Sequence, residues 1–128
     1  MRLDLWNHHR ESFEPLERRA LLRRPVIPKG CSHHAHMYCV LLAPGADRAA
    51  VQAAWAKEGT GAVFHYVPLH DSPASRRYGR ANGDLIVTND LSARLYRLPM
   101  YVGLQDADQT RALDALTRIL TFPRAMSQ

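Results

Sequence analysis

Two imidazoles and a phenol lie close together in the middle of the 128-residue chain and could do chemistry. His65 and Tyr66 belong to the apolar run 62–67, and His70 follows the turn that Pro68 introduces. If the run is a strand, His65 and Tyr66 point to opposite faces, and His70 lies at its carboxyl end, where ligands of α/β folds collect. These groups could bind a polar ligand or transfer protons. A hydrogen-bonded turn without a ligand is the competing interpretation.

A second group of chemically active side chains precedes an earlier apolar run. It consists of Cys31, His33, His34, His36 and Cys39. Imidazole and thiolate are ligands that zinc prefers, but on a strand His36 and Cys39 would point to opposite faces. No second Cys/His pair follows at zinc-finger spacing. We therefore predict loop histidines without a metal, and a small buried side chain at Cys39.

Basic residues form a third candidate site. The chain has 17 basic and 12 acidic residues and a net charge of +5. Arg76, Arg77 and Arg80 form the densest cluster, which could attract a phosphate. A solvated surface is the plainer interpretation. The sequence contains no block of five basic residues and no strand face of mixed aromatic and basic side chains, which argues against nucleic-acid binding.

Several function classes are excluded by absent motifs. The sequence has no nucleophile elbow, phosphate-binding loop or dinucleotide-binding glycine motif. No apolar run approaches the roughly 18 residues of a membrane span, and the charged first residues do not resemble a signal peptide. We expect a cytoplasmic protein that binds no membrane. A length of 128 residues with 46% hydrophobic side chains predicts a single domain over residues 1–128.

The hydrophobic pattern predicts the elements that position these groups. Residues 1–30 are expected to be a helical lead-in and linker, with helices over 2–13 and 16–22. The pattern next predicts a covered strand over 37–42, a helix over 49–57 and a strand over 62–67. Together these three elements have the length of a βαβ or split βαβ unit.

Weaker patterns follow in the second half of the chain. Residues 71–87 are predicted to be loop-rich, with a short extended piece at 85–87. A helix should run from 88 or 89 to about 96, and residues 98–101 should be extended. A last amphipathic helix begins near 106. The predicted fold class is α/β, a small sheet of few strands packed with helices.

Four separated strings show a family resemblance. They are Gly30-Cys31-Ser32-His33-His34-Ala35-His36-Met37-Tyr38, Val63-Phe64-His65-Tyr66-Val67-Pro68-Leu69-His70, Ser72-Pro73-Ala74 with Tyr78-Gly79, and Ser92-Ala93-Arg94-Leu95-Tyr96-Arg97-Leu98-Pro99. In order and spacing they resemble the C-terminal part of the DegT/DnrJ/EryC1/StrS family of pyridoxal-phosphate-dependent nucleotide-sugar aminotransferases. The family string at the histidine cluster carries Asn where this chain has His34. The resemblance implies transfer of an amino group from glutamate to a dTDP-4-keto-6-deoxy sugar.

The resemblance also implies a fold and a set of partners. The fold would be the small C-terminal domain of a fold-type I aminotransferase. The partners would be an N-terminal large domain, a second copy in a homodimer, the nucleotide sugar and glutamate. Pyridoxal phosphate (PLP) would serve the full-length enzyme, bound by a lysine of the large domain. Neither Lys29 nor Lys57 corresponds to that lysine. We therefore expect a fragment that binds no cofactor and is inactive alone.

The resemblance implies that three residues near the active-site cleft bind substrate: His65, Tyr66 and His70. No catalytic, cofactor-binding or metal residue carries over. A domain built to pack on a larger one should expose an apolar patch, for which Trp6, Phe13 and residues 99–101 are the candidates. The alternative function is an inactive stand-alone module for protein interaction or nucleotide-sugar binding.

Overall fold

The computed structural model describes residues 2–61, 63, 64 and 66–122. The helices are α1 (Arg2–Ser12), α2 (Glu14–Arg18), α3 (Arg48–Lys57), α4 (Pro73–Tyr78), α5 (Ile86–Arg94) and α6 (Asp106–Thr121), with a 3-10 turn at Leu69–Asp71. The strands are β1 (Leu22–Arg23), β2 (Tyr38–Leu42), β3 (Val63–Phe64) and β4 (Leu95–Leu98). None of the described helices has the length and apolar character needed to cross a membrane.

The four strands form one antiparallel sheet in the order β1-β2-β4-β3. In β4, Leu98 pairs with Tyr38 of β2, and Tyr96 pairs with Val40. Because β4 lies antiparallel between β2 and β3, these two strands run parallel to each other. With α3 as their connection they form a split βαβ unit, which is one of the two arrangements that the sequence predicted.

One face of the sheet is the main core. Alternate residues of β2 and β4 point into it and are buried, among them Val40 and Tyr96. Helices α3 and α6 cover this face, and the ring of Trp55 on α3 lies 5.4 Å from that of Tyr96. Helix α1 extends the same core, since Trp6 is 4% exposed and contacts the Tyr38 ring edge-on at 5.2 Å. The expected small sheet packed with helices is confirmed.

The first structural difference from the sequence prediction concerns the second helix. It was expected over 16–22, but α2 ends at Arg18, and residues 22–23 form β1 instead. Ala20 has a positive φ of 56°, which reverses the chain after α2. The reversal lets Leu22 pair with Leu42 of β2.

The larger differences lie between residues 71 and 98. The extended piece predicted at 85–87 is wrong, because α5 already begins at Ile86. The helix predicted to reach about 96 ends at Arg94, and residues 95–98 form β4. The partners of β4 are distant in sequence, so its hydrogen bonds to β2 and β3 override the local helical pattern.

The predicted loop after residue 71 contains a short helix. In α4, the Ser72 hydroxyl oxygen accepts a hydrogen bond from the backbone N–H of Ser75 at 3.2 Å, and Pro73 occupies the first turn. Gly79 ends the helix, where a Cβ would lie 2.9 Å from the carbonyl oxygen of Ser75.

Candidate functional site

The candidate site lies on the segment that leaves the edge strand β3. Pro68, with φ −53° and ψ 138°, directs the chain into the 3-10 turn Leu69–Asp71. His70 lies in this turn with a partly exposed side chain. The turn continues into α4, and the chain returns to the sheet through α5. The site therefore consists of short elements at the periphery of the core.

A hydrogen bond joins the two ends of this segment. His70 Nε2 lies 2.8 Å from Asn89 Oδ1, on the first turns of α5. The amide nitrogen of Asn89 donates to the carbonyl oxygen of Asp84 at 2.9 Å. Leu85 between them has a positive φ of 45° and turns the chain into α5. Asn89 thus connects the histidine to the turn that begins α5.

Of the three predicted substrate-binding residues, the structure places two and brings them to one surface segment. Tyr66 is 75% exposed and precedes His70 by four residues, so both rings are accessible to a ligand. His65 lies outside the described residues. The substrate-binding role of all three stays a prediction.

The arginine cluster on α4 is only partly available to an anion. Arg76 forms an ion pair with Asp71, and its hydrogen bond lowers the pKa of that exposed carboxyl below its usual range. The Arg77 guanidinium lies 5.1 Å from the centre of the Tyr78 ring, and Arg80 is exposed. Arg77 and Arg80 therefore provide positive charge beside the turn, while Arg76 is largely neutralised.

Exposed apolar side chains concentrate on the same segment. They are Tyr66, Val67, Leu69, Tyr78, Ile86 and Val87, each more than half exposed. The sequence prediction of an exposed patch at Trp6 and Phe13 is wrong, because both side chains are buried in the core. Tyr101, from the third predicted position, is 56% exposed. The residue that helps to bury Trp6, Tyr38, lies 32 residues away, so the local sequence around α1 does not indicate the contact.

The cysteine and histidine residues of 31–39 do not converge. Among the described residues, no three metal-ligating side chains come close enough to hold an ion. The His33 ring packs on Trp6 with 4.3 Å between ring centres, while His36 and Cys31 are exposed. Cys39 is half-buried, and burial raises the pKa of its thiol. His33, His34 and His36 lie in the loop before β2, as the sequence predicts, whereas Cys39 is not the fully buried side chain expected.

The lysines show whether this chain could hold PLP itself. A Schiff-base lysine works from an enclosed, water-poor site, where its amine is activated. Lys29 lies exposed in the loop between β1 and β2, and Lys57 lies exposed in the last turn of α3. Neither residue fits that requirement, so no catalytic step is assigned to a lysine of this chain.

One residue of the site was missed by sequence reasoning. The sequence indicates Asn89 only as a residue at the start of a helix, whereas in the structure it contacts His70 across 19 residues. The helix-capping residue type was a local signal, but its partner depends on how α5 folds back on the 3-10 turn. No local sequence pattern indicates that α5 folds back onto this turn.

Comparisons with known proteins identify relatives of this chain. The model of the DegT/DnrJ/EryC1/StrS aminotransferase family matches residues 1–117. MJ1066, an uncharacterized protein of Methanocaldococcus jannaschii, is 29% identical over 122 residues, which cover 91% of this chain and 30% of that protein. A DegT DnrJ EryC1 StrS aminotransferase from Brucella abortus is 26% identical, with a TM-score of 0.73 over 91% of this chain and 29% of its own.

A third relative carries the name of a sugar aminotransferase. This protein, from Streptococcus pneumoniae, was solved in its PMP form, and it matches with a TM-score of 0.81 and 17% identity. The match covers 94% of this chain and 30% of that one. The fold is that of the small C-terminal domain of fold-type I aminotransferases. The chain spans about 30% of the length of the relatives it matches.

Proposed function

The chain belongs to the DegT/DnrJ/EryC1/StrS aminotransferase family, and from that premise we propose that it forms the small C-terminal part of a sugar transaminase. The proposed reaction transfers an amino group from glutamate to the keto carbon of a dTDP-4-keto-6-deoxy sugar. Its proposed partners are a large domain that binds PLP, and a second copy of the enzyme in a homodimer. We place the enzyme in the cytoplasm.

The proposed role of this chain is to bind the nucleotide sugar. One observation carries this proposal: His70 is fixed through one ring nitrogen by Asn89 while its side chain stays partly exposed, close in sequence to the exposed Tyr66. A ring that is held in place and still accessible loses little rotational freedom on binding a ligand. His65 belongs to the proposed site through the family resemblance alone.

Charge supports a ligand that carries phosphate. Arg77 and Arg80 lie on or just after α4, a few residues from His70, and Arg76 is neutralised by Asp71. The guanidinium groups of Arg77 and Arg80 would attract a diphosphate and could contact it bidentately. The apolar side chains exposed between residues 66 and 87 would be covered by the base of the nucleotide or by the large domain.

A second candidate function is a stand-alone module that binds nucleotide sugars or proteins without catalysis. The observation in its favour is the core, in which the chain's own residues fully bury Phe13, Val40, Trp55 and Tyr96. A chain that buries such a core could fold by itself.

Titration of the purified chain with dTDP-glucose, followed by NMR, tests the proposal. We expect weak binding, in the millimolar range, confined to residues 66–89, because the large domain would contribute the rest of the pocket. Tight binding by the chain alone would favour the module. Unchanged resonances across residues 66–89 would overturn the proposed binding role.

A further inference from the structure

The hydrogen bonds of Asn89 determine which of its side-chain atoms faces His70. Its amide nitrogen donates to the carbonyl oxygen of Asp84 at 2.9 Å. A carbonyl oxygen can only accept, so this contact assigns the nitrogen and leaves Oδ1 on the side of His70. The orientation of the amide follows from the hydrogen-bond pattern itself.

The orientation of Asn89 in turn determines where the His70 proton lies. Oδ1 has no hydrogen to give, so the 2.8 Å contact requires that His70 Nε2 carries the proton and donates it. In the neutral ring the other nitrogen, Nδ1, then carries a lone pair and is an acceptor. His70 therefore presents an acceptor, and not a donor, to a ligand that approaches Nδ1.

We propose that Asn89 is a positioning residue that holds His70 in the Nε2–H tautomer, so that Nδ1 accepts a hydrogen bond from a sugar hydroxyl. This inference rests on the proposed function, because it concerns the polarity of the same site. An acceptor nitrogen is unsuited to a phosphate oxygen, which also accepts. In this proposal Arg77 and Arg80, and not His70, bind the phosphate groups.

Side-chain ¹⁵N NMR of the labelled chain at pH 8 tests the tautomer without any ligand. The resonances of protonated and unprotonated ring nitrogens are well separated, so the spectrum reports the population of each tautomer of His70. We expect Nε2–H to dominate in the parent chain. A dominant Nδ1–H form would overturn the proposal.

Two substitutions separate positioning from support of the helix. Asn89→Ala removes the acceptor, and the ratio of Nε2–H to Nδ1–H should fall roughly two- to tenfold, the effect of one exposed hydrogen bond. Asn89→Asp keeps an oxygen facing His70 but cannot donate to Asp84, so it should restore the parent ratio. A ratio that falls equally in both variants would indicate support of α5 only, and would overturn the proposal. Thr88→Ala, on the same exposed turn, is the matched control.

The polarity of the site is tested with two probes at equal ionic strength. The Nδ1 resonance of His70 should move with dTDP-glucose and stay unchanged with inorganic pyrophosphate. An equal shift with pyrophosphate would overturn the assignment to a hydroxyl. If dTDP-glucose binds nowhere, the proposed function fails, and the tautomer ratios still decide whether Asn89 positions His70.

Discussion

One N–H of the Arg94 guanidinium donates to the carbonyl oxygen of Leu42 at 2.6 Å, across 52 residues of sequence. The same guanidinium pairs with Asp90 one turn earlier on α5. Arg48 adds a bond of 2.7 Å to the carbonyl oxygen of Ser92. None of the nine residues of α5, all of them described, is fully buried. Polar bonds to the rest of the fold therefore help to hold α5, and with it Asn89, in place.

Arg94→Ala should loosen α5. The substitution removes the donor to Leu42 and leaves a partly buried carbonyl without its partner, so we expect the free energy of unfolding to fall by about 1–3 kcal/mol. Urea denaturation measures this loss, and amide exchange should accelerate in α5 first. Arg111→Ala is the matched control, because Arg111 pairs with Asp108 on an exposed face of α6 and should cost less than about 1 kcal/mol. Equal losses in the two variants would contradict the role of Arg94.

The hydroxyl groups of two core tyrosines should be dispensable. Tyr38 and Tyr96 each bury a hydroxyl oxygen that has no hydrogen-bond partner within the described part of the chain. Replacing Tyr96 by Phe removes a desolvated polar atom and keeps the ring against Trp55. We expect Tyr96→Phe to leave the thermal midpoint unchanged or to raise it, whereas Tyr96→Ala should cost about 3–5 kcal/mol. A loss above about 1 kcal/mol for the Phe variant would show that the hydroxyl is bonded.

The buried His9 should make the stability depend on pH. Its side chain is 2% exposed, and burial lowers the pKa of its imidazole below the usual value of 6.5. At a pH between the folded and unfolded pKa values, the His9 imidazole binds a proton in the unfolded chain and stays neutral in the folded chain. The free energy of unfolding should therefore fall as the pH drops from about 7 through 6.5 toward the depressed pKa, by at most about 1.4 kcal/mol per pH unit.

Urea denaturation at several pH values measures this slope. His9→Gln removes the titrating group and should flatten the slope between pH 7 and 5. His34→Gln, at an exposed position, should keep the slope of the parent chain. A slope that survives in His9→Gln would assign the pH dependence to other groups.

Local patterns predicted the elements around the core well. The strand expected over 37–42 is found at Tyr38–Leu42, and the helix expected over 49–57 at Arg48–Lys57. A continuous apolar run and an Asp47 cap define these two elements within a few residues of sequence. Such signals need no knowledge of the rest of the fold.

The elements that were mispredicted depend on distant partners. Strand β4 is defined by its pairing with β2, more than 50 residues away, and so its residues looked like the end of a helix. The candidate site likewise depends on residues that are distant in sequence. His70 was recognised from its position after a strand, but Asn89, which orients it, could be found only once α5 was seen to return to the 3-10 turn.

The lysines should not capture PLP specifically. Lys29 and Lys57 are both exposed and lie on separate elements, so neither offers the enclosed site that stabilises an imine against water. We expect no saturable absorbance change when PLP is added to the chain, and only sparse, unspecific labelling after borohydride reduction. Mass spectrometry of the peptides measures the labelling. A stoichiometric adduct on one lysine, absent from its Lys→Arg variant, would contradict the assignment of the cofactor to another domain.

The direct test of the central claim is an NMR titration of the uniformly labelled chain with dTDP-glucose, repeated on His70→Ala and on the matched control His34→Ala. The account predicts weak, saturable shifts confined to residues 66–89. The affinity should fall roughly two- to twelvefold in His70→Ala by the loss of one hydrogen bond, and should be unchanged in His34→Ala. Shifts of equal size and affinity in all three proteins, or shifts that lie outside residues 66–89, would contradict a nucleotide-sugar site at His70.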